Sequence, residues 1–159
     1  MSEFRLSMNF FNLSLTALAI YIAAEGSQKI KTEGIDNKDI QIDKSYIVGA
    51  SITISVIGFL NFVLLTYLYD TTSSFNLMYK SFGLLSSGAL GIIGGFLLAQ
   101  FIEINYSKKN NSGVFTKDRF PDDIEIVGLV LGGLSVGVAL LMILQILLTW
   151  GKSKKKVRR

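Results

Sequence analysis

Four long apolar stretches constrain this chain more than any other feature. Met8–Ala24, Tyr46–Tyr69, Phe82–Ile102 and Ile126–Trp150 contain no Asp, Glu, Lys or Arg. A helix needs about 20 apolar residues to cross the hydrocarbon core of a bilayer. At that depth every backbone N–H and C=O needs an internal partner, so only helices and closed barrels can span. Barrel strands alternate apolar and polar residues, whereas these runs are continuous. The chain therefore reads as an all-α integral membrane protein. It is a four-transmembrane-helix bundle in a single membrane domain, 1–159, with outer loops 25–45 and 103–125 and a tail at 151–159. Composition agrees: 50% of the residues are hydrophobic and 18% are charged, and the mean hydropathy is +0.45.

The first stretch has a rival reading. Arg5, an apolar run and Ala23-Ala24 before Glu25 also fit a cleaved secretory leader. The stretch is expected to be a retained helix.

An even number of spans puts both termini on one side, and Lys and Arg near the spans set which side. The terminal side holds 8 basic residues in about 28 positions, and the loop side holds 8 in about 44. Density therefore favours cytoplasmic termini, chiefly through the tail. The sequons Asn105-Tyr106-Ser107 and Asn110-Asn111-Ser112 then fall on the outer side, where glycosylation takes place.

Much chemistry is excluded by residue type. The chain has no Cys and no His, which removes disulfides, thiolate metal sites and the commonest general base and metal ligand. No nucleophile–base pair stands out. No catalytic, cofactor-binding or metal-ligating set is assigned, and the chain is expected not to be an enzyme and to need no cofactor. Ion-coupled transporters usually keep a charged group at membrane depth, and the four stretches hold none. A potassium-type filter sequence is also missing.

The third stretch carries the sharpest pattern. Gly83, Ser87, Gly91, Gly95 and Ala99 recur every four residues, with Gly88 and Gly94 beside them. The fourth stretch pairs Gly128 with Gly132, Gly133 with Gly137, and Ser135 with Ala139. Small residues at this spacing let helix backbones approach closely in lipid, so the third span is expected to pack on the fourth. The spans also hold Asn9, Asn12, Ser14, Thr16, Ser51, Thr53, Ser55, Asn61, Ser86, Ser87, Gln100, Ser135 and Gln145. These side chains can bond across helices for about 0.6 kcal/mol each. No span shows a continuous polar stripe. Asn12 and Asn61 are candidates to face each other.

Two Ile-Val-Gly triplets, Ile47-Val48-Gly49 and Ile126-Val127-Gly128, raise the question of a duplicated hairpin, although the surrounding alignment is poor. In the outer loops, Ile40 and Ile42 alternate with polar residues and suit a short strand. Asp122, Asp123 and Glu125 suit the N-terminal dipole of the fourth helix better than a calcium loop, whose 12-residue pattern is missing.

The tail places Lys152, Lys154, Lys155, Lys156, Arg158 and Arg159 directly after Trp150. Such a cluster anchors topology and attracts anionic lipid or an acidic protein surface, and no direct nucleic acid contact is expected. The function expected from these features is a non-enzymatic structural or scaffolding subunit among other membrane-protein subunits, in a multisubunit complex or a virion inner membrane. The alternative is a small oligomeric channel or carrier for an ion or neutral solute.

Overall fold

A computed structural model describes residues 3–29, 44–67, 73–110 and 122–157. Ile40, Ile42, 111–121, Arg158 and Arg159 lie outside the described residues, as do the side chains of Tyr106, Asn110, Asp122, Trp150, Lys152, Lys154, Lys155 and Lys156.

The described chain forms four helices: α1 (Glu3–Lys29), α2 (Lys44–Tyr67), α3 (Ser73–Asn110) and α4 (Asp122–Val157). Within them Glu3–Gln28, Ser45–Tyr67, Lys80–Glu103 and Asp123–Leu148 are each long and apolar enough to cross a membrane. The helices outrun their apolar stretches. α3 has 38 residues, which at 1.5 Å per residue is about 57 Å, against a hydrocarbon core of about 30 Å. Among the described residues no non-Gly residue has positive φ and no peptide bond is cis.

Neighbouring helices run antiparallel. Asn9 meets Thr66 and Asn12 meets Gly58, which reverses α2 against α1. Gly83 opposes Ile146 and Gly132 opposes Leu98, which reverses α4 against α3. The closest pairs are α1 with α2 and α3 with α4, and α2–α3 and α1–α4 contacts close the square. α1 is a full member of the core through Leu15, Ala19 and Ile22, and its helix runs without a break past Ala24.

One spacing organises all four helices. The buried seam of α1 is Met8, Asn12, Leu15, Ala19, Ile22 and Gly26, and that of α2 is Ile47, Ser51, Ile54, Gly58, Asn61 and Leu65. On α3 it is Lys80, Gly83, Ser87, Leu90, Gly94, Leu97 and Phe101. On α4 it is Ile124, Gly128, Leu131, Ser135, Val138, Met142 and Ile146. Steps of three and four alternate along nearly the whole of each seam. That is the repeat of about 3.5 residues by which helices interlock side chains over a long contact.

This seam corrects the four-residue stripe expected on α3. Steps of four overshoot 3.6 residues per turn, so a strict stripe rotates about 40° per step and about 160° from Gly83 to Ala99. Gly83 and Ser87 are buried, whereas Ala99 is exposed. A Cβ added to Gly91 would still press on Ala139, and one added to Gly95 would only graze Val136 at 4.0 Å. The contact passes instead to Gly94, set against Ser135, and to Phe101, which fills the space left by Gly128. On α4, Gly132 abuts Leu98, while Gly133 and Gly137 have open space where a side chain would stand. The two Ile-Val-Gly triplets are not equivalent either. Gly49 is exposed with nothing near it, and Gly128 is buried under Phe101.

Adjacent glycines give an internally controlled prediction. A Cβ on Gly132 would lie 2.7 Å from Leu98 Cβ and 2.8 Å from its Cα, and the latter is backbone that cannot swing aside. Gly132→Ala is expected to cost about 1–3 kcal/mol through overpacking. Gly133→Ala fills open space and removes a helix-weakening glycine, so it should be neutral or gain up to about 1 kcal/mol. Reversible unfolding of both variants in detergent measures the difference, and equal costs would contradict the packing described here.

Candidate functional site

Most hydroxyls inside the helices are used locally. Ser51 donates to the Ile47 carbonyl at 2.8 Å, Thr53 to Gly49 at 2.9 Å and Ser55 to Ile52 at 2.7 Å. Thr16 and Ser135 do the same with Asn12 and Leu131. A hydroxyl bonded to its own preceding turn satisfies itself and offers little to a solute. Ser51 and Ser55, four residues apart on α2, are both closed in this way.

The amides behave differently, and the helix registers bring them together. Asn12 lies opposite the turn of α2 that begins at Gly58 and contains Asn61, because an added Gly58 Cβ would stand 3.2 Å from the Asn12 carbonyl oxygen. Ser86 Oγ donates to Asn61 Oδ1 at 2.5 Å, tying α3 to α2. Gly83 opposes Ile146 and Gly91 opposes Ala139, so Ser87, midway between them, stands opposite the turn holding Met142. Asn12 Nδ2 closes the ring by pointing at Met142 Sδ, 3.9 Å away, while donating to the Met8 carbonyl at 2.9 Å. Asn12, Asn61, Ser86, Ser87 and Met142 thus form one layer to which every helix contributes. One turn nearer the Arg5 end, Asn9 Nδ2 donates to Thr66 Oγ1 at 3.3 Å.

The layer is enclosed. Asn12, Asn61, Ser87 and Met142 are each 0% exposed. On the side toward the C-terminus of α1 it is covered by Leu15, Ile54, Leu90 and Leu131, then by Ile22, Ile47, Leu97, Phe101 and Ile124, all fully buried. Toward the Arg5 end, Met8, Leu65 and Ile146 are buried around it. Within the layer Asn12 Oδ1, Asn61 Nδ2 and Ser87 Oγ have no hydrogen-bond partner, nor does Asn9 Oδ1 below it. Each such buried orphan costs about 1–3 kcal/mol, more than the roughly 0.6 kcal/mol that an interhelical hydrogen bond returns.

Two other features frame this layer. At the far end of the bundle, Tyr21 donates to Asp123 Oδ2 at 3.0 Å and Asn105 donates to Glu125 Oε1 at 2.5 Å. These two carboxylates cross-link helices there, and the first sequon asparagine is held inside α3. At the other end, an open, largely apolar groove of about 660 Å³ runs along Leu6, Phe10, Phe11 and Phe62 and reaches the Asn9–Thr66 pair.

Sequence reasoning proposed Asn12 facing Asn61 and listed the polar groups without ordering them. It missed the pairing of Ser86 with Asn61 and the burial of Lys80 and Glu125 at the span ends. The signal that finds the layer is the three-and-four seam, on which Asn12, Asn61, Ser87 and Met142 all fall. The candidate packing residues Gly83, Gly91, Gly94, Gly128 and Gly132 meet the partner helix, and Ala99, Gly133 and Gly137 do not. The candidate partner-binding residues Lys152, Lys154, Lys155, Lys156, Arg158 and Arg159 fall on side chains outside the described set. Among the described residues no group of three Asp or Glu is placed to hold a metal ion.

Comparison with protein-family models, with curated proteins and with solved structures gives no match.

A charge placed in the layer tests its enclosure. Asn61→Asp keeps the volume and adds an ionisable group, which at the centre of a membrane helix costs about 2.5–3.5 kcal/mol. Enclosure disfavours the ionised carboxylate relative to the neutral acid. The loss is therefore expected to be full at neutral pH and to shrink as the pH falls and the carboxyl takes up a proton. Unfolding of Asn61→Asp and Asn61→Leu across a pH series separates the two, because the leucine variant should show no such dependence.

Proposed function

We propose that this chain is a multi-pass, non-enzymatic structural subunit of a larger membrane assembly, with both termini on the cytoplasmic side. A multisubunit membrane complex and the inner membrane of a virion are the two settings that fit. One observation carries the reading: Asn12, Asn61 and Ser87 meet in a single enclosed layer, the buried Ser51 and Ser135 are spent on carbonyls of their own helices, and fully buried apolar side chains fill the bundle on both sides of the layer. A path for an ion or polar solute through one chain needs polar lining along its length, and these seams do not supply it. The outward faces are rich in large apolar residues such as Leu85, Phe96, Leu140 and Leu148, suited to lipid or to neighbouring transmembrane subunits. Six cations in the tail add attraction to anionic lipid or an acidic protein surface, at about 1 kcal/mol per cation near a charged membrane.

The second reading, a small oligomeric channel or carrier, draws on one specific observation, the orphan polar atoms Asn12 Oδ1, Asn61 Nδ2 and Ser87 Oγ. Its path would have to run between copies of the chain.

Native mass in a mild detergent, with mass spectrometry of what co-purifies from the source membrane, separates the two. The subunit reading expects a large particle with foreign subunits in fixed ratio. A particle built only of this chain, with solute flux when it is reconstituted alone in liposomes, would overturn that reading in favour of the channel.

A further inference from the structure

The orphan atoms of the layer are chemically complementary to a small hydrogen-bonding ligand. Asn61 Nδ2 is a donor, Asn12 Oδ1 is an acceptor, and the Ser87 hydroxyl is both. All three are fully buried and without a partner, although buried polar groups in folded proteins are very largely paired. They come from three different helices at one level, and on the fourth helix Met142 faces the same level through its contact with Asn12. The remaining amide atoms of Asn61 and Asn12 already have partners, Asn61 Oδ1 from Ser86 and Asn12 Nδ2 to Met8.

We propose that the layer is a binding site for internal water, bridging Asn61 Nδ2, Asn12 Oδ1 and Ser87 Oγ at the centre of the bundle. Water accepts the Asn61 amide hydrogen, donates to Asn12 Oδ1, and exchanges its remaining bond with the Ser87 hydroxyl. Buried waters typically make about three hydrogen bonds to otherwise unsatisfied groups, and this site offers that number. A larger polar ligand would need an opening, and the apolar seams on either side give it none. Asn9 Oδ1, one turn away on α1, also lacks a partner, but Asn9 and Thr66 line the open groove, so it stands apart from the enclosed site. The assignment is independent of whether the chain works inside an assembly.

Met142 is the reporter. Its sulfur is fully buried yet adjoins Asn12, and X-ray radiolysis of bound water generates hydroxyl radicals that oxidise side chains next to it. The full chain in lipid nanodiscs is irradiated and Met142 oxidation is read by mass spectrometry over an unirradiated control. Tyr67, which is exposed, serves as the positive control, and Phe101, fully buried among apolar side chains, as the dry one. The proposal expects Met142 to be modified and Phe101 not. It further expects Met142 oxidation to fall several-fold in Ser87→Ala and in the Asn12→Leu/Asn61→Leu pair, each checked for native helicity and unfolding midpoint. Ser87→Ala removes a single oxygen from the seam and keeps the test available should the double variant fail to fold. Wild-type Met142 as inert as Phe101 would overturn the proposal and point to a dry layer in which the Asn61 amide turns to bond Asn12 directly. Oxidation unchanged in a folded Ser87→Ala would remove Ser87 from the site and overturn the three-point bridge.

Discussion

Between two helices in an apolar solvent there is no hydrophobic drive to decide which faces meet, because a leucine is as well placed outward as inward. What sorts the faces is close approach and polar pairing, and the seams of this bundle are organised by that rule. Gly58, Gly83, Gly94, Gly128 and Gly132 each sit where a side chain would collide with the opposing helix. Large apolar residues are distributed both ways: Leu90 and Phe101 are fully buried, and Leu85 and Phe96 are more than 60% exposed. The small residues fix where the helices touch, and Leu, Ile and Phe fill the space that remains.

The polar layer follows a different logic. Its interhelical bonds return tenths of a kcal/mol, whereas its orphan atoms cost about 1–3 kcal/mol each when dry. On those magnitudes the layer does not hold the bundle together, and close packing does. What the layer supplies is register, since Ser86 reaches Asn61 and Asn12 reaches Met142 only in this alignment of the helices. A single buried amide fixes register in coiled coils at a cost in stability, and the same trade operates here across four helices. Water in the layer would lower that cost while leaving the register intact.

The existence and approximate position of four apolar helices were legible in the sequence because length and the lack of charge suffice for them. Which faces are buried was not. Hydrophobic periodicity, the usual guide, is flat when nearly every residue is apolar, which leaves the glycine spacing as the most regular signal. That spacing of four ran from Gly83 toward Ala99 and off the interface, while the true seam turns at Leu90 and again at Leu97. Asn12 and Asn61 were visible as candidates to meet, but their level could be set only after Gly58 was known to abut α1 and Gly91 to abut α4. Lys80 and Glu125 lie just outside the charge-free stretches, yet both are buried. Long side chains at a span end can bury their stems while the charge reaches a polar environment.

Cysteine accessibility tests most directly whether the bundle axis is enclosed, with Asn12, Asn61 and Ser87 at one sealed level. The chain has no cysteine of its own, so single replacements give an unambiguous readout with a membrane-impermeant thiol reagent. Ser27 and Ser81 are exposed near opposite ends of the bundle, and Ser27→Cys and Ser81→Cys should react, each from a different side of the membrane. Ser87→Cys, nearly isosteric and at the layer, should stay unmodified from both sides in the folded protein. Rapid modification of Ser87→Cys would mean that an aqueous path reaches the layer from bulk solvent, and would contradict the sealed axis.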